Sequence, residues 1–529
     1  MRDIHYPGRS TVHGANGAAA TSHPLATLAA IELLKAGGNA VDAAIGACAV
    51  LCVVEPMSTG IGGDCFALIA KNGRGPVIGI NGSGCAPAKA DAAWFADQGI
   101  SEIGTETPHS VTVPGAIDAW DTLARDHGRL GLDRILQPAI RFAEEGFVVS
   151  PIVGLGWQFL SKRLQADEGA QQHLLIDGKA PKIGSKFKSP ALGATLRAIA
   201  EKGRAAFYSG AIAEDMVSCL QNKGGLHEQS DFENQHGDYV TPISTAYKSQ
   251  TVFEIPPNGQ GITALIMLNI LRQFPMEDYD PLSAERYHLQ IEAQRLAFEA
   301  RDTYVADPKF ADVPVDHLLS DTFAAEQAAR IRMDACIDDI NRRKGPEYRD
   351  TVYLSVIDGD QTACSFINSL YFGFGSAIVA PQSGVLFQNR GVGFALDPSH
   401  PNCIAGGKRP LHTIIPGMAL QDDNVRHSFG VMGGDFQPMG HVQVMLNMVT
   451  YGMDAQEALD APRAFAGLEQ VGIEKGLPDT VRSGLEARGH ALTDALVPFG
   501  GGQVVSVDWE QGTLVAGSES RKDGCALAY

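Results

Sequence analysis

Near residue 350 the chain reads "NRRKGPEYRDTVYLSVIDGDQTACSFINS", and the residue to weigh first is Thr351. A threonine hydroxyl is a weak nucleophile unless a base lies beside it, and an N-terminal threonine carries one in its own α-amino group. That amine titrates at about 7.7–8.0 in model peptides, so part of it is unprotonated near neutrality. Exposing it requires a cut between Asp350 and Thr351, and the polar approach Arg342, Arg343, Lys344, Gly345, Pro346 suits an accessible loop. The plain alternative is that a β-branched residue simply opens a strand here. Local pattern alone leaves both readings standing.

Other familiar chemistry is missing from the sequence. There is no HExxH, and "NCIAGGKRP" lacks both the spaced first glycine and the following Ser/Thr of a phosphate loop. The serine of "INGSGCAP" has no G-x-S-x-G frame. Nine cysteines show no CxxC pair or zinc spacing and read as buried thiols, so neither a metal nor a cofactor is expected.

The elements that must position Thr351 follow from periodicity. "PLATLAAIELLKAGGNAVDAAIGACAVLCVV" (Pro24 to Val54) reads as two helices broken at Gly37-Gly38-Asn39. "MSTGIGGDCFALIA" runs from glycines into an apolar strand, the reverse of a dinucleotide loop, whose glycines open a helix. From about Trp120 to Met333 apolar residues recur at three and four, as in helices. After Thr351 the runs "TVYLSVID", "TACSFINSL", "GVLFQN" and "QVVSVDW" read as strands. Helices packed on sheets in one body follow, an α+β arrangement.

At 529 residues and 44% hydrophobic composition the chain can bury a large core. A net charge of -19 repels nucleic acid and anionic membrane, so neither is expected as a partner. The longest apolar run, Ala43 to Val54, is too short to span a bilayer. "MRDIHYPGRSTVHG" lacks the apolar stretch of a secretory signal, and the expected location is cytoplasmic.

Six stretches in order, "SHPLATLAAIELLKAGGNAVDAAIGACAVLCVVEPMSTGIGGDCFALI", "TVPGAIDAW", "EIPPNGQGITALIMLNIL", "DTVYLSVID", "GKRPLHTIIP" and "GGDFQPMGHVQVMLNMV", resemble the γ-glutamyltransferase (glutathione hydrolase) family from about Gly14 onward. The resemblance implies an N-terminal-nucleophile hydrolase, a four-layer αββα sandwich of two antiparallel sheets between helices. It implies a precursor that cuts itself before Thr351 into a large subunit, 1–350, and a small one, 351–529, which stay together as a heterodimer that is itself free to pair. Gly433 and Gly434 match the family's oxyanion-hole pair, although a glycine pair also makes an ordinary turn. "SFINS" resembles the segment that orients the nucleophile and binds substrate. Asn368 matches the family's asparagine or is a satisfied core residue, and Ser365 or Ser369 is left to assist Thr351.

Four departures bear on the substrate. Ala92 stands where the family's carboxylate-gripping arginine is expected, and Gly393 where its ammonium-binding aspartate is expected. Arg390 replaces a neutral glutamine, and His412-Thr413 replaces a serine pair. The pocket thereby loses its grip on a zwitterion and gains a cation, unless Arg390 faces solvent or pairs with Asp397. The expected substrate is a small amide-bearing acid, as for the family's oxamate amidohydrolases. γ-Glutamyl transfer or hydrolysis stands second, and a non-catalytic binding protein or a cephalosporin-type acylase behind it.

Overall fold

Two seven-stranded sheets lie face to face in a computed structural model that describes residue 5 and residues 8–340 and 351–529. The first runs, in spatial order, Cys525–Ala528, Gly17–Thr21, Val352–Asp358, Ala363–Ser369, Asp64–Ala70, Ile78–Gly82, Asp238–Val240. The second runs Val12–Gly14, Thr513–Ser518, Gly501–Asp508, Asn424–Met432, Gly417–Gln421, Gln250–Glu254, Ile243–Tyr247. All pairings within these two sheets are antiparallel. Each sheet interleaves strands from before residue 340 with strands from after residue 351.

Alternation along the strands builds the layers. In Val352–Asp358, residues Val352, Leu354 and Val356 pack with the helices on the outer face, while Tyr353 and Ile357 join Phe66, Met418 and Val505 between the sheets. The helices Pro24–Lys35 and Ala40–Val54 cover the first sheet. They turn at Gly37, whose φ of 94° favours glycine, and restart at Asn39, whose side chain and that of Asp42 form a capping box. The helices Gly261–Leu271, Ala284–Tyr304 and Phe436–Met445 cover the second sheet. The result is the helix, sheet, sheet, helix order expected from the sequence.

Two local expectations need correction. "GVLFQN" forms no strand, only isolated bridges such as Val379 to Leu386, before the short 3-10 turn Arg390–Gly393. Its apolar residues are buried all the same, so the hydrophobic run reports burial and not extended pairing. Of the nine cysteines, five are buried and Cys85, Cys336, Cys403 and Cys525 are partly exposed; all are unpaired. No helix among the described residues is long and apolar enough to cross a membrane.

Candidate active site

Thr351 sits one residue before the strand Val352–Asp358 and is buried. The hairpin register pairs Val352 with Asn368, so the position beside Thr351 is Ser369. Thr351 Oγ1 and Ser369 Oγ are 3.1 Å apart. Ser369 Oγ also accepts hydrogen bonds from the Tyr371 N–H (2.9 Å) and from Arg390 Nη2 (3.3 Å). Ser369 thus links the threonine oxygen to a buried cation. Ser365 is elsewhere: its hydroxyl bonds Tyr353 Oη at 2.8 Å.

Asn368 is not brought to this group. Neighbouring residues of a strand point to opposite faces, and Asn368 Nδ2 donates to Thr59 Oγ1 (2.8 Å) and the Gly60 carbonyl (3.2 Å) on the helix-covered side. Its place in the group is taken by Tyr371, at a φ of 81°, whose ring lies 4.1 Å under the Arg390 guanidinium.

Arg390 is fully buried, which removes the solvent-facing alternative. Nη1 donates to Thr413 Oγ1 at 2.7 Å. His412, next to it, is buried with Nε2 2.9 Å from Asp64 Oδ2, and its Nδ1 accepts the Ile414 N–H at 3.3 Å. These contacts assign the proton to Nε2. Asp64 in turn accepts at Oδ1 from the amides of Gly84 (2.9 Å) and Gly115 (3.1 Å) and from Gln388 Nε2 (2.8 Å). Burial, followed by the Arg390 charge, lowers His412 to about 4 against the pull of Asp64, so the ring is neutral at neutral pH. It serves as a dry, uncharged wall of the arginine site.

Between the ordinary histidine value of about 6.5 and the folded value of about 4, the unfolded chain binds a proton at His412 that the folded chain refuses. Stability therefore falls as pH falls through that window, by up to about 1.4 kcal/mol per pH unit for this one group. His23 and His227, each lowered to about 4 chiefly by burial, add to it. Urea unfolding from pH 7.5 to 4.5 is expected to show the decline, and His412→Gln to make it shallower by about one proton; an unchanged slope would remove His412 from the account.

The glycine pair lies at the mouth of the gap between the sheets. Facing strands fix the alignment: Ser355 Oγ donates to the Ser428 carbonyl at 3.0 Å, and the Tyr353 ring lies against Gly430, where a Cβ would come within 2.5 Å of it. Carried on by two residues, the same pairing sets Thr351 opposite Met432, beside Gly433. Gly433 has a φ of 120° and Gly434 one of 59°, and a Cβ on Gly433 would lie 2.9 Å from Gly500 Cα. The turn is held from behind. Gln260 Nε2 bridges the carbonyls of Thr413 (2.7 Å) and Gly434 (2.9 Å). Gln260 Oε1 accepts from Arg301 Nη1 (2.9 Å), which also pairs with Asp435 at 2.9 Å.

Sequence reasoning thus selected Thr351, Ser369, Arg390, His412, Thr413, Gly433 and Gly434, which the structure gathers; Asp350 lies outside the described residues. It missed Asp64, Gln260, Arg301 and Tyr371. Asp64 and Gln260 stood in stretches already notable, at the end of "GIGGD" and "PPNGQ", where a polar residue closes a glycine turn. Ala92 begins the helix Ala92–Asp97 and packs on the Phe394 and Ile404 cluster, away from any charged role.

Two antiparallel sheets between helices, with a threonine hydroxyl heading a central strand in the gap, define an N-terminal-nucleophile amide hydrolase. The γ-glutamyltranspeptidase family model matches residues 26–529, and the chain belongs to that family. It is 36% identical over 527 residues to the glutathione hydrolase-like YwrD proenzyme of Bacillus subtilis, covering 98% of this chain and 99% of that one. It is 32% identical over 529 residues to the oxamate amidohydrolase proenzyme of Klebsiella pneumoniae, covering 97% and 98%. The solved cephalosporin acylase from Bacillus halodurans superposes with a TM-score of 0.93 at 40% identity, over 100% of this chain and 99% of that one.

Proposed function

We propose that the chain is a self-processing N-terminal threonine hydrolase that cleaves the amide of a small carboxylic acid through an acyl-enzyme. The observation that carries this reading is the buried Arg390 guanidinium, one hydroxyl removed from Thr351. A carboxylate seated on Arg390 would set an adjacent amide carbonyl over Thr351 Oγ1, and charge-assisted bonds of this kind fix orientation as well as affinity. The relative named for oxamate hydrolysis supports the substrate class.

In processing, Thr351 Oγ1 attacks the Asp350 carbonyl, its proton passes to the Thr351 nitrogen as the scissile C–N bond breaks and an ester forms, and water hydrolyses the ester to release the Asp350 carboxylate and restore the Thr351 hydroxyl. The fragments 1–350 and 351–529 then stay together because each sheet interleaves strands from both. In turnover, the freed amine takes the hydroxyl proton as Oγ1 adds to the substrate carbonyl, and the Gly433 and Gly434 amides hold the oxyanion. The amine's proton goes to the departing amine or ammonia, and water resolves the acyl ester. Activity is expected to rise with pH around the amine's value, about 7.7–8.0 in model peptides, and initial rates to be indifferent to chelators. A chelator-sensitive rate restored by a divalent ion would count against the amine as base.

A screen of the processed protein against amide substrates, read by ammonia or amine release, tests the substrate class: oxamate-like acids should exceed γ-glutamyl amides. The resemblance to a cephalosporin acylase favours a second reading, deacylation of a larger amide, and such amides belong in the same screen.

A further inference from the structure

At the far end of helix Ala284–Tyr304 from Arg301, thirteen residues or about 20 Å away, lies a group of side chains that the hydrolytic site does not use. His288 and Glu292 share one face of the helix, four residues apart. His490 reaches them from the turn after helix Asp479–Ala487, made possible by Gly489 at a φ of 90°. All three are buried. His288 Nδ1 and His490 Nε2 are 2.8 Å apart, and the possible ligand atoms of the three residues lie within 4.8 Å of one another.

We propose that His288, Glu292 and His490 form a binding site for one divalent transition-metal ion, with zinc the best match to two imidazoles and a carboxylate. The outer contacts are those a metal site needs. His288 Nε2 meets the Arg332 carbonyl at 2.7 Å, which fixes the proton there and leaves the Nδ1 lone pair pointing inward. His490 Nδ1 is 3.9 Å from Glu292 Oε1, so a shift of its proton from Nε2 to Nδ1 turns the second lone pair inward without net proton loss. Ligand atoms on one tetrahedral zinc lie about 3.3 Å apart, so the two nitrogens separate by about half an ångström and the carboxylate swings inward. Arg295 Nη1 bonds Glu292 Oε1 at 2.9 Å, and Arg488 pairs with Glu285.

The site joins three pieces of chain. Glu292 Oε2 accepts the Ile337 N–H at 2.7 Å, and the Cys336 N–H donates to the Arg488 carbonyl at 2.7 Å, so the segment 332–337 is laid over it. That segment leads toward residue 350, while His490 belongs to the chain after residue 351. A bound ion would pin the tail of the large fragment to the small one. Metal binding itself does not depend on the proposed cleavage, but this fastening role does.

The test is zinc titration of purified, EDTA-stripped and dialysed protein by calorimetry, with cobalt(II) absorption as a second readout. One zinc per chain at micromolar or tighter affinity is expected. Cobalt should give the visible bands of a tetrahedral site, and zinc should raise the melting temperature by a few degrees while the initial hydrolytic rate stays unchanged. His490→Ala and Glu292→Gln should weaken binding on the order of 100-fold. No stoichiometric binding by the wild type, or equal binding by both variants, would overturn the site. Binding to a protein that remains one uncut chain would uphold the site and separate it from the processing reading.

Discussion

Thr351→Ala is expected to purify as a single chain of 529 residues with no measurable amide hydrolysis, a loss of roughly 10⁴–10⁶-fold. The substitution removes the oxygen that lies 3.1 Å from the Ser369 hydroxyl. Ser365 is committed to Tyr353, and Ser355 to Ser428. Thr351→Ser keeps the oxygen and should still cut, more slowly, because loss of the methyl frees the rotamer. The alanine variant should also fold, since only one hydroxyl and a methyl leave a strand whose other residues still fill both faces. Gel electrophoresis and an amide hydrolysis assay read both outcomes, and a cut alanine variant would place the nucleophile elsewhere.

Arg390→Ala should change substrate choice more than processing. The guanidinium lies on Thr413, Ser369 and the Tyr371 ring, in a pocket whose histidine is kept neutral by burial and by Arg390 itself. An anionic amide should lose the equivalent of one charged hydrogen bond, about 1.5–3 kcal/mol, seen as a KM raised roughly ten- to hundred-fold. The neutral ester of the same acid should shift far less. Self-cleavage should survive, because it draws on Thr351 and the glycine amides. Equal losses on acid and ester would show that Arg390 holds the scaffold and not the substrate, and would favour the γ-glutamyl or acylase readings.

What could be read from the sequence was whatever depends on local periodicity or a fixed motif. The helical hairpin at Pro24–Val54 appeared because Gly37 and Asn39 carry their own turn and cap chemistry. Thr351 and Gly433-Gly434 were picked out through the family resemblance, since a threonine also opens strands and a glycine pair also makes turns. Asn368 was misplaced for lack of register. Once the hairpin sets Val352 opposite Asn368, alternation sends Asn368 to the helices and Ser369 to Thr351. Asp64, Gln260 and Tyr371 were invisible for a different reason. Their roles arise from contacts across long stretches of sequence, such as Asp64 to His412, and no single window contains both partners. Arg390 was noticed by type, but its burial came from the fold.

Whether this chain works as an N-terminal threonine enzyme is tested most directly by the N-terminal sequence of the smaller fragment. Edman degradation or intact mass of the purified wild-type protein should give a fragment beginning Thr351-Val352-Tyr353-Leu354 beside one ending at Asp350. An uncut chain that hydrolyses amides, or a small fragment beginning at any other residue, would contradict the account.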